Sequence, residues 1–441
     1  MKDFFAIIAS KVIAIALRIC RRTGGSLPGA IALKISKEVL KSLTYPTKYI
    51  VVTGTNGKTG TTGIIRNIFQ KAGFEVVSNI HGDNLIFGIA TAILKNTNPF
   101  TKRVRADVIV LEVDELTLAS RMDDLFISDV VITNFFPDQL DRYGTTDTLV
   151  KQIGSALRGF MGRVITNSDD PMLYTFHNVG FGICENVFTE HGSSEHDHDS
   201  GDRRGTNVFC PGCHGVLTYK YHQYGHVGDF HCKSCGLKRW QPKYLANIAE
   251  DGSYEVGGMR FAGSGRGLYH YYNELAAISV ALEYGISRDV IEAALKSSTP
   301  GKGRMERFGN VLLNLVKNPV GLNQVIAYIA NENIKNDKKY TVFLFSLSDA
   351  PADGMDVSWI WELNAAKLWE AGITNIICTG SRCYDAALLF KYSEYDFNVE
   401  ADEDTLSACR KIMNEGGYAV STYTALAGVR NCFEKIAAEV R

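Results

Sequence analysis

The 441-residue chain lacks a charge excess of either sign, with 47 Lys and Arg against 48 Asp and Glu and a formal net charge of -1. That removes the electrostatic case for nucleic acid as the main partner, because proteins that neutralise phosphate backbones carry a marked basic excess. An uninterrupted hydrophobic run of spanning length is also missing. The most apolar stretch, Phe4 to Leu17, is broken by Lys11 and no small-residue cleavage site follows it, so neither a membrane-spanning helix nor a signal peptide is expected. Nor do the cysteines form a secreted disulfide framework. Four of the ten cluster, and Cys20, Cys184, Cys378, Cys383, Cys409 and Cys432 are scattered among apolar neighbours, the usage of a reducing cytoplasm. The general phosphate-loop pattern G-x-x-x-x-G-K-[ST] lacks its first glycine, because Val52 stands there.

What the chain does carry is a shorter glycine loop. Tyr49-Ile50-Val51-Val52-Thr53 is an apolar, β-branched run that empties into Gly54-Thr55-Asn56-Gly57-Lys58-Thr59-Gly60-Thr61-Thr62 and then into a helical pattern from Ile64 to Ala72. The order strand, glycine loop, helix aims backbone N–H groups and a helix N-terminus at phosphate oxygens. Lys58 is placed to neutralise charge and Thr59 to offer its hydroxyl to Mg²⁺. The bland alternative is a glycine-rich turn with a surface lysine.

With 45% hydrophobic and 22% charged residues, the chain is long enough for two or three domains with their own cores. At its start Phe4, Ile8, Val12, Ile15 and Ile19 recur at helical spacing with Lys11 and Arg18 off that stripe. An amphipathic helix packed on the domain is expected, with a membrane surface as the alternative resting place. Strand candidates follow at Tyr49 to Thr53, Glu75 to Asn79, Asp107 to Glu112, Asp129 to Thr133 and Arg163 to Thr166, alternating with helical patterns. This predicts a mostly parallel sheet covered on both faces, with ligands beyond the carboxyl ends of its strands. Glu112 ends one strand where a carboxylate can reach Mg²⁺, and Asp138-Gln139-Leu140-Asp141 follows another.

The segment from Glu190 to Gly205 is polar and reads as an exposed loop, its His191, His196 and His198 carrying little expectation of a metal site. Cys210-Pro-Gly-Cys213 and Cys232-Lys-Ser-Cys235 then enclose alternating aromatic and polar residues. C-x2-C-x18-C-x2-C is the spacing of two knuckles around one tetrahedral Zn²⁺. Four thiolates fill the coordination sphere, so the metal is expected to be structural, with His214, His226 and His231 outside it.

A helix is expected to open at Tyr269-His-Tyr-Tyr-Asn273 and to end near Gly285. Pro300 to Glu306 reads as a loop whose Arg304 either clamps a phosphate or pairs with Glu306. Strand candidates at Asn310 to Val316, Tyr340 to Ser346, Ile373 to Cys378 and Tyr418 to Val420 predict a second parallel sheet. Asp353 and Asp356 share a loop after one of these strands, and Trp359 and Trp361 are expected to serve packing unless a partner docks there. The organisation expected is an N-terminal helical segment 1–47, a nucleotide-binding domain 48–300 with a ribbon inserted at 206–240, and an α/β domain 301–441.

The loop Gly54 to Thr59, Glu112, Asp138 to Asp141, Asn167 to Pro171, Asn273 and Gly303-Arg304-Met305-Glu306 resemble the marks of the Mur ligase superfamily. The four-cysteine ribbon, Leu315 to Gly321, Ala352 to Trp361 and Thr422 to Ala425 resemble its MurT family, the Mur-ligase-like subunits of lipid II isoglutaminyl synthase. The resemblance implies an α/β fold: a Mur-ligase-like central P-loop ATPase domain with an inserted four-cysteine zinc ribbon, followed by a C-terminal α/β domain. It implies ATP, Mg²⁺ and Zn²⁺ as cofactors, and amidation of the D-glutamate α-carboxylate of lipid II to D-isoglutamine with ammonia from a GatD-type glutaminase. Such a protein works in the cytoplasm at the inner face of the membrane, with peripheral membrane contact open. By position Gly54, Thr55, Asn56, Gly57, Lys58, Thr59, Gly60, Thr61, Asn273 and Arg304 would hold ATP, Thr59 and Glu112 would serve Mg²⁺, and Asp356 or Asp353 would be essential. An amino-acid-adding or folylpolyglutamate-synthase-like ligase is the alternative. It would need no glutaminase.

Overall fold

The computed structural model describes residues 1–20, 25–79, 83–137, 146–176, 178–186, 188–189, 208–263, 267–298, 303–335, 340–350 and 353–439. The segment 138–141 and the histidines of 190–205 therefore lie outside the described residues, as do 300–302. The first half of the chain forms β1 (Lys48–Thr53), β2 (Val76–Val77), β3 (Val108–Glu112), β4 (Asp129–Ile132), β5 (Arg163–Asn167) and β6 (Val179–Ile183). A hairpin of β7 (Leu217–Tyr224) and β8 (Val227–Cys232) stands apart, and β9 (Tyr244–Ile248), β10 (Tyr254–Val256) and β11 (Met259–Phe261) follow. Except for the hairpin these make one nine-stranded sheet, in the order β11-β10-β9-β6-β5-β4-β1-β3-β2. Pairing is parallel from β2 to β9 and antiparallel through β10 and β11.

The continuous apolar run of β1 is what a strand covered on both faces requires. Ile50 and Val52 join Ile64, Ile65, Ile68 and Phe69 of the helix Lys58–Lys71 in one core. Tyr49 and Val51 join Ile89, Ile93 and Leu94 of the helix Ile86–Lys95, with Ala6, Ile7 and Ala32 of the N-terminal helices, in the other. β2 is shorter than Glu75 to Asn79. At Asn79 the side chain replaces the ladder: its Nδ2 donates to the Glu112 carbonyl at 2.7 Å, and its Oδ1 accepts from the Glu112 amide at 2.9 Å.

The N-terminal helix forms over Lys2–Ile19, but its apolar stripe is not the packed face. Ala6, Ile7 and Ser10 are the buried residues, whereas Val12, Ile15 and Ile19 are 59%, 60% and 77% exposed. The expected packing of the stripe is corrected for a steric reason. The opposite side carries small residues that let the helix approach its neighbour Leu27–Ile35 closely.

The second sheet comprises β12 (Glu306–Phe308), β13 (Val311–Leu315), β14 (Val342–Ser346), β15 (Asn375–Thr379), β16 (Asn398–Ala401) and β17 (Gly417–Ser421). Its order is β12-β13-β17-β14-β15-β16, parallel except for β12, and cores cover both faces. Glu306, expected in a loop, opens β12 instead, because Arg307 and Phe308 continue the pairing with Leu312 and Val311.

Candidate active site

Register sets the site. Val52 of β1 lies level with Glu112 of β3, and Thr53 with Ile132 of β4, so the glycine loop and the β3 and β4 carboxyl ends open side by side. Gly54 (φ 121°) and Gly57 (φ 87°) hold backbone conformations that a side chain disfavours. A Cβ on Gly54 would also lie 2.3 Å from Thr133 Oγ1, and one on Gly57 would lie 2.2 Å from Asn273 Oδ1. The loop is pinned from below by the segment after β4. Thr55 N donates to the Asn134 carbonyl at 2.9 Å, Asn56 N to Asn134 Oδ1 at 3.0 Å, and Thr133 Oγ1 to the Asn56 carbonyl at 2.7 Å. Phe136 N donates to Thr55 Oγ1 at 3.0 Å. Such a fixed, concave loop at a helix N-terminus fits a polyphosphate.

Lys58 is buried and its Nζ donates to the Gly54 carbonyl at 2.5 Å and to Glu115 Oε1 at 2.8 Å. Glu115 is itself buried, as are Glu112 and Asp114. Asp114 caps the helix Glu115–Arg121, and Glu112 Oε1 accepts from Asn84 Nδ2 at 3.0 Å. Sequence reasoning assigned a role to Glu112 and passed over Glu115. Its signal was present, as a second glutamate three residues past a strand-terminal one.

Asn273, on the helix Leu268–Glu283, reaches the loop, where its Oδ1 accepts from Thr61 Oγ1 at 3.3 Å. Asn318, just beyond β13, makes a reciprocal amide pair with Asn56 at 3.0 and 3.4 Å, so the second sheet touches the loop directly. Arg304 is half-buried and makes no hydrogen bond or ion pair among the described residues. Its alternative partner Glu306 is taken by Arg430, with hydrogen bonds of 2.7 and 2.8 Å.

The two aspartates of the second sheet differ. Asp353 is buried and accepts from Thr424 N at 3.0 Å and from Thr424 Oγ1. Asp356 is exposed, and its carboxyl is lowered below the usual range by hydrogen bonds from Ser358. It lines a cleft of about 260 Å³ with Met355, Trp361, Arg382 and Asp385. No hydrogen bond or ion pair joins either aspartate to the glycine loop among the described residues. Trp359 is half-buried against the core, whereas Trp361 is exposed beside the cleft.

The four cysteines come together at the base of the β7–β8 hairpin. Their Sγ atoms lie within 4.8 Å of one another, with Cys210–Cys235 at 3.6 Å and Cys213–Cys232 at 3.5 Å. Four sulfurs about 2.3 Å from one Zn²⁺ sit roughly 3.8 Å apart, so the donor set fits a tetrahedral ion. Backbone hydrogen bonding from Cys235 pulls the Cys232 thiol down to about 6. His226 sits at the far tip, paired with Asp170 Oδ1 at 3.0 Å and tilted against the Phe136 ring at 4.3 Å between centroids.

Two family models match this chain: the Mur ligase middle domain over residues 52–208 and the MurT ligase C-terminal over 315–426. The chain is 31% identical over 442 residues to the lipid II isoglutaminyl synthase (glutamine-hydrolyzing) subunit MurT of Staphylococcus aureus (strain N315), covering 97% of each chain. It is 32% identical over 427 residues to that of Streptococcus pneumoniae, covering 91% of each. Among solved structures, a pseudomurein peptide ligase type C from Methanothermus fervidus is similar with a TM-score of 0.70 and 20% identity, over 91% of this chain and 81% of that one. MurF ligase from Thermotoga maritima in complex with ADP is similar with a TM-score of 0.59 and 14% identity, over 94% and 85%. At these identities the structures establish the fold, an α/β Mur ligase fold, to which this chain adds its own cysteine cluster able to form a zinc site.

Proposed function

Because the chain belongs to the MurT family of ATP-dependent Mur ligases, we propose that it amidates the D-glutamate α-carboxylate of the lipid II stem peptide to D-isoglutamine, using ammonia from a GatD-type glutaminase. The observation that carries this reading is similarity running the whole length of the chain, through 315–426, where it matches a MurT-specific model. A role in peptidoglycan synthesis, at the cytoplasmic face of the membrane where lipid II is held, follows from it.

MgATP would supply the activating phosphoryl group. The amides of Gly54 to Thr61 and the Lys58 ammonium bind and orient the triphosphate, and Thr59 and Glu112 serve Mg²⁺. Asn273 fixes the loop from the opposite helix, and Arg304, which makes no hydrogen bond or ion pair among the described residues, contacts the nucleotide. Attack of the substrate carboxylate oxygen on the γ-phosphorus releases ADP and leaves an acyl phosphate. Ammonia attacks the acyl carbon, phosphate leaves, and the nitrogen loses a proton. Positioning and charge neutralisation by these groups carry the barrier reduction.

Asp356, exposed on its cleft, is the aspartate suited to handling ammonia at a partner interface, while Asp353 is engaged by Thr424. Residues 48–300 with the ribbon 206–240 would bind nucleotide, 301–441 would meet the glutaminase, and Cys210, Cys213, Cys232 and Cys235 would hold a structural Zn²⁺.

The test is product mass after incubation of the purified chain with ATP and lipid II, first with ammonium salt, then with glutamine plus a GatD-type glutaminase. The small mass loss of –OH replaced by –NH₂, with glutamine used only when the glutaminase is present, is the expected result. A gain equal to an amino-acid residue would make the chain an amino-acid-adding ligase.

A further inference from the structure

We infer that the exposed side of the helix Lys2–Ile19 is a docking surface for an anionic lipid bilayer. Thirteen of its eighteen residues are apolar, and they run all round it. A helix apolar on every side is normally buried on every side, yet this one packs only through Ala6, Ile7, Ser10 and their neighbours. At 3.6 residues per turn, Phe5, Val12, Ile15 and Ile19 share the opposite side, and all four are more than half exposed. Phe4 packs on Phe100 at 5.3 Å, and Phe100 is 82% exposed, so the apolar surface continues onto the adjoining loop.

Charge chooses the occupant. Residues 1–47 hold eight Lys and Arg against one Asp and one Glu in a chain that is otherwise acidic. Arg18 borders the apolar side of the helix, and Arg103 is exposed on the loop that carries Phe100. An apolar strip flanked by basic groups is the pattern of a helix lying in the headgroup region, where apolar insertion and attraction to anionic lipid add. No helix of the described residues is long and apolar enough to cross a membrane, so the helix lies on the bilayer. The proposal deepens the functional reading, because it places the chain where a lipid-linked substrate is held.

The test is sedimentation of the full chain with vesicles of phosphatidylcholine alone and of phosphatidylcholine with phosphatidylglycerol, without peptidoglycan precursor. Binding to the anionic vesicles is expected, and Val12→Asp/Ile15→Asp should weaken it at least about tenfold with an unchanged melting temperature, since both positions face solvent. A parent chain that stays in solution with both vesicles overturns the proposal, as does a double variant that binds equally well. Conversion of a dimer to a monomer by the double variant, with vesicle binding unaltered, would assign the face to a second copy and overturn it too. Because the readout is binding without substrate, failure of the amidation reading appears separately, as vesicle binding by a chain that gives no amidated product.

Discussion

At the residue scale, the Lys58–Glu115 pair is the most consequential contact that the glycine loop makes. Both side chains are buried and 2.8 Å apart. Removing one partner of such a pair leaves an uncompensated charge in a low-dielectric setting, a cost of about 3–5 kcal/mol. Lys58→Met should therefore destabilise the chain strongly and abolish ATP hydrolysis. Adding Glu115→Gln should restore most of the stability and none of the hydrolysis, which urea titration and phosphate release would read separately. Stability left unrestored by the second change would mean that Glu115 is held by something other than Lys58. The loop glycines and Lys58 stood out in the sequence, because a tight strand-to-helix turn and a phosphate-binding loop ask for those residue types at fixed offsets, whereas Asn273 was marked only by the family resemblance. Glu115 was not legible, since its role depends on how the fold brings the start of the helix Glu115–Arg121 beside Lys58. Nor was the contrast between Asp353 and Asp356. Two aspartates in one loop look alike until Thr424, from far along the chain, arrives to bury one of them.

At the element scale, the cysteine ribbon is joined to the glycine loop by a short chain of contacts. The hairpin tip places His226 against Phe136 and Asp170, and Phe136 is hydrogen-bonded to Thr55. Arg239, just past the hairpin, donates to buried Asp169 at 2.6 Å, and Tyr272 donates to the same carboxylate at 2.6 Å. With the proposed Zn²⁺ held by the four thiolates, chelator treatment or Cys213→Ser should lower the melting temperature by at least several degrees, because structural sites contribute binding energy to folding. Nucleotide affinity should fall with it, as the hold of Phe136 on Thr55 loosens. An unchanged melting temperature after verified metal loss would make the ribbon an independent appendage. The cysteine spacing and most strand cores were readable because their periods are local. The ends were less so: β2 stops where the Asn79 side chain takes over its pairing, and β12 begins inside an expected loop because its partner lies across a tight turn. The first helix was placed correctly and its packed face was not. An apolar moment says which side is greasier, whereas close approach to the helix Leu27–Ile35 favours the side with small residues.

At the scale of the whole molecule, the two sheets meet at the glycine loop through the reciprocal amides of Asn56 and Asn318. Asn318 also accepts from Gly321 N at 2.8 Å, which fixes its side chain at the start of the helix Pro319–Lys335. One neutral pair therefore ties the position of the second sheet to the glycine loop, the loop proposed above to receive a triphosphate. The distinction between holding and charging the loop can be made by two substitutions at one site. Asn318→Ala removes a modest neutral hydrogen bond, worth about 0.5–1.5 kcal/mol, and should weaken ATP binding only slightly. Asn318→Asp keeps the shape but sets a carboxylate at a buried position on the side of the proposed anionic ligand, where like charges at about 4 Å repel by up to about 4 kcal/mol. Calorimetric titration with ATP should rank parent, alanine and aspartate variants in that order, with the aspartate variant regaining affinity as salt is raised. Equal losses in both variants would mean that the pair acts through sheet placement alone, and no loss in either would separate the second sheet from nucleotide binding.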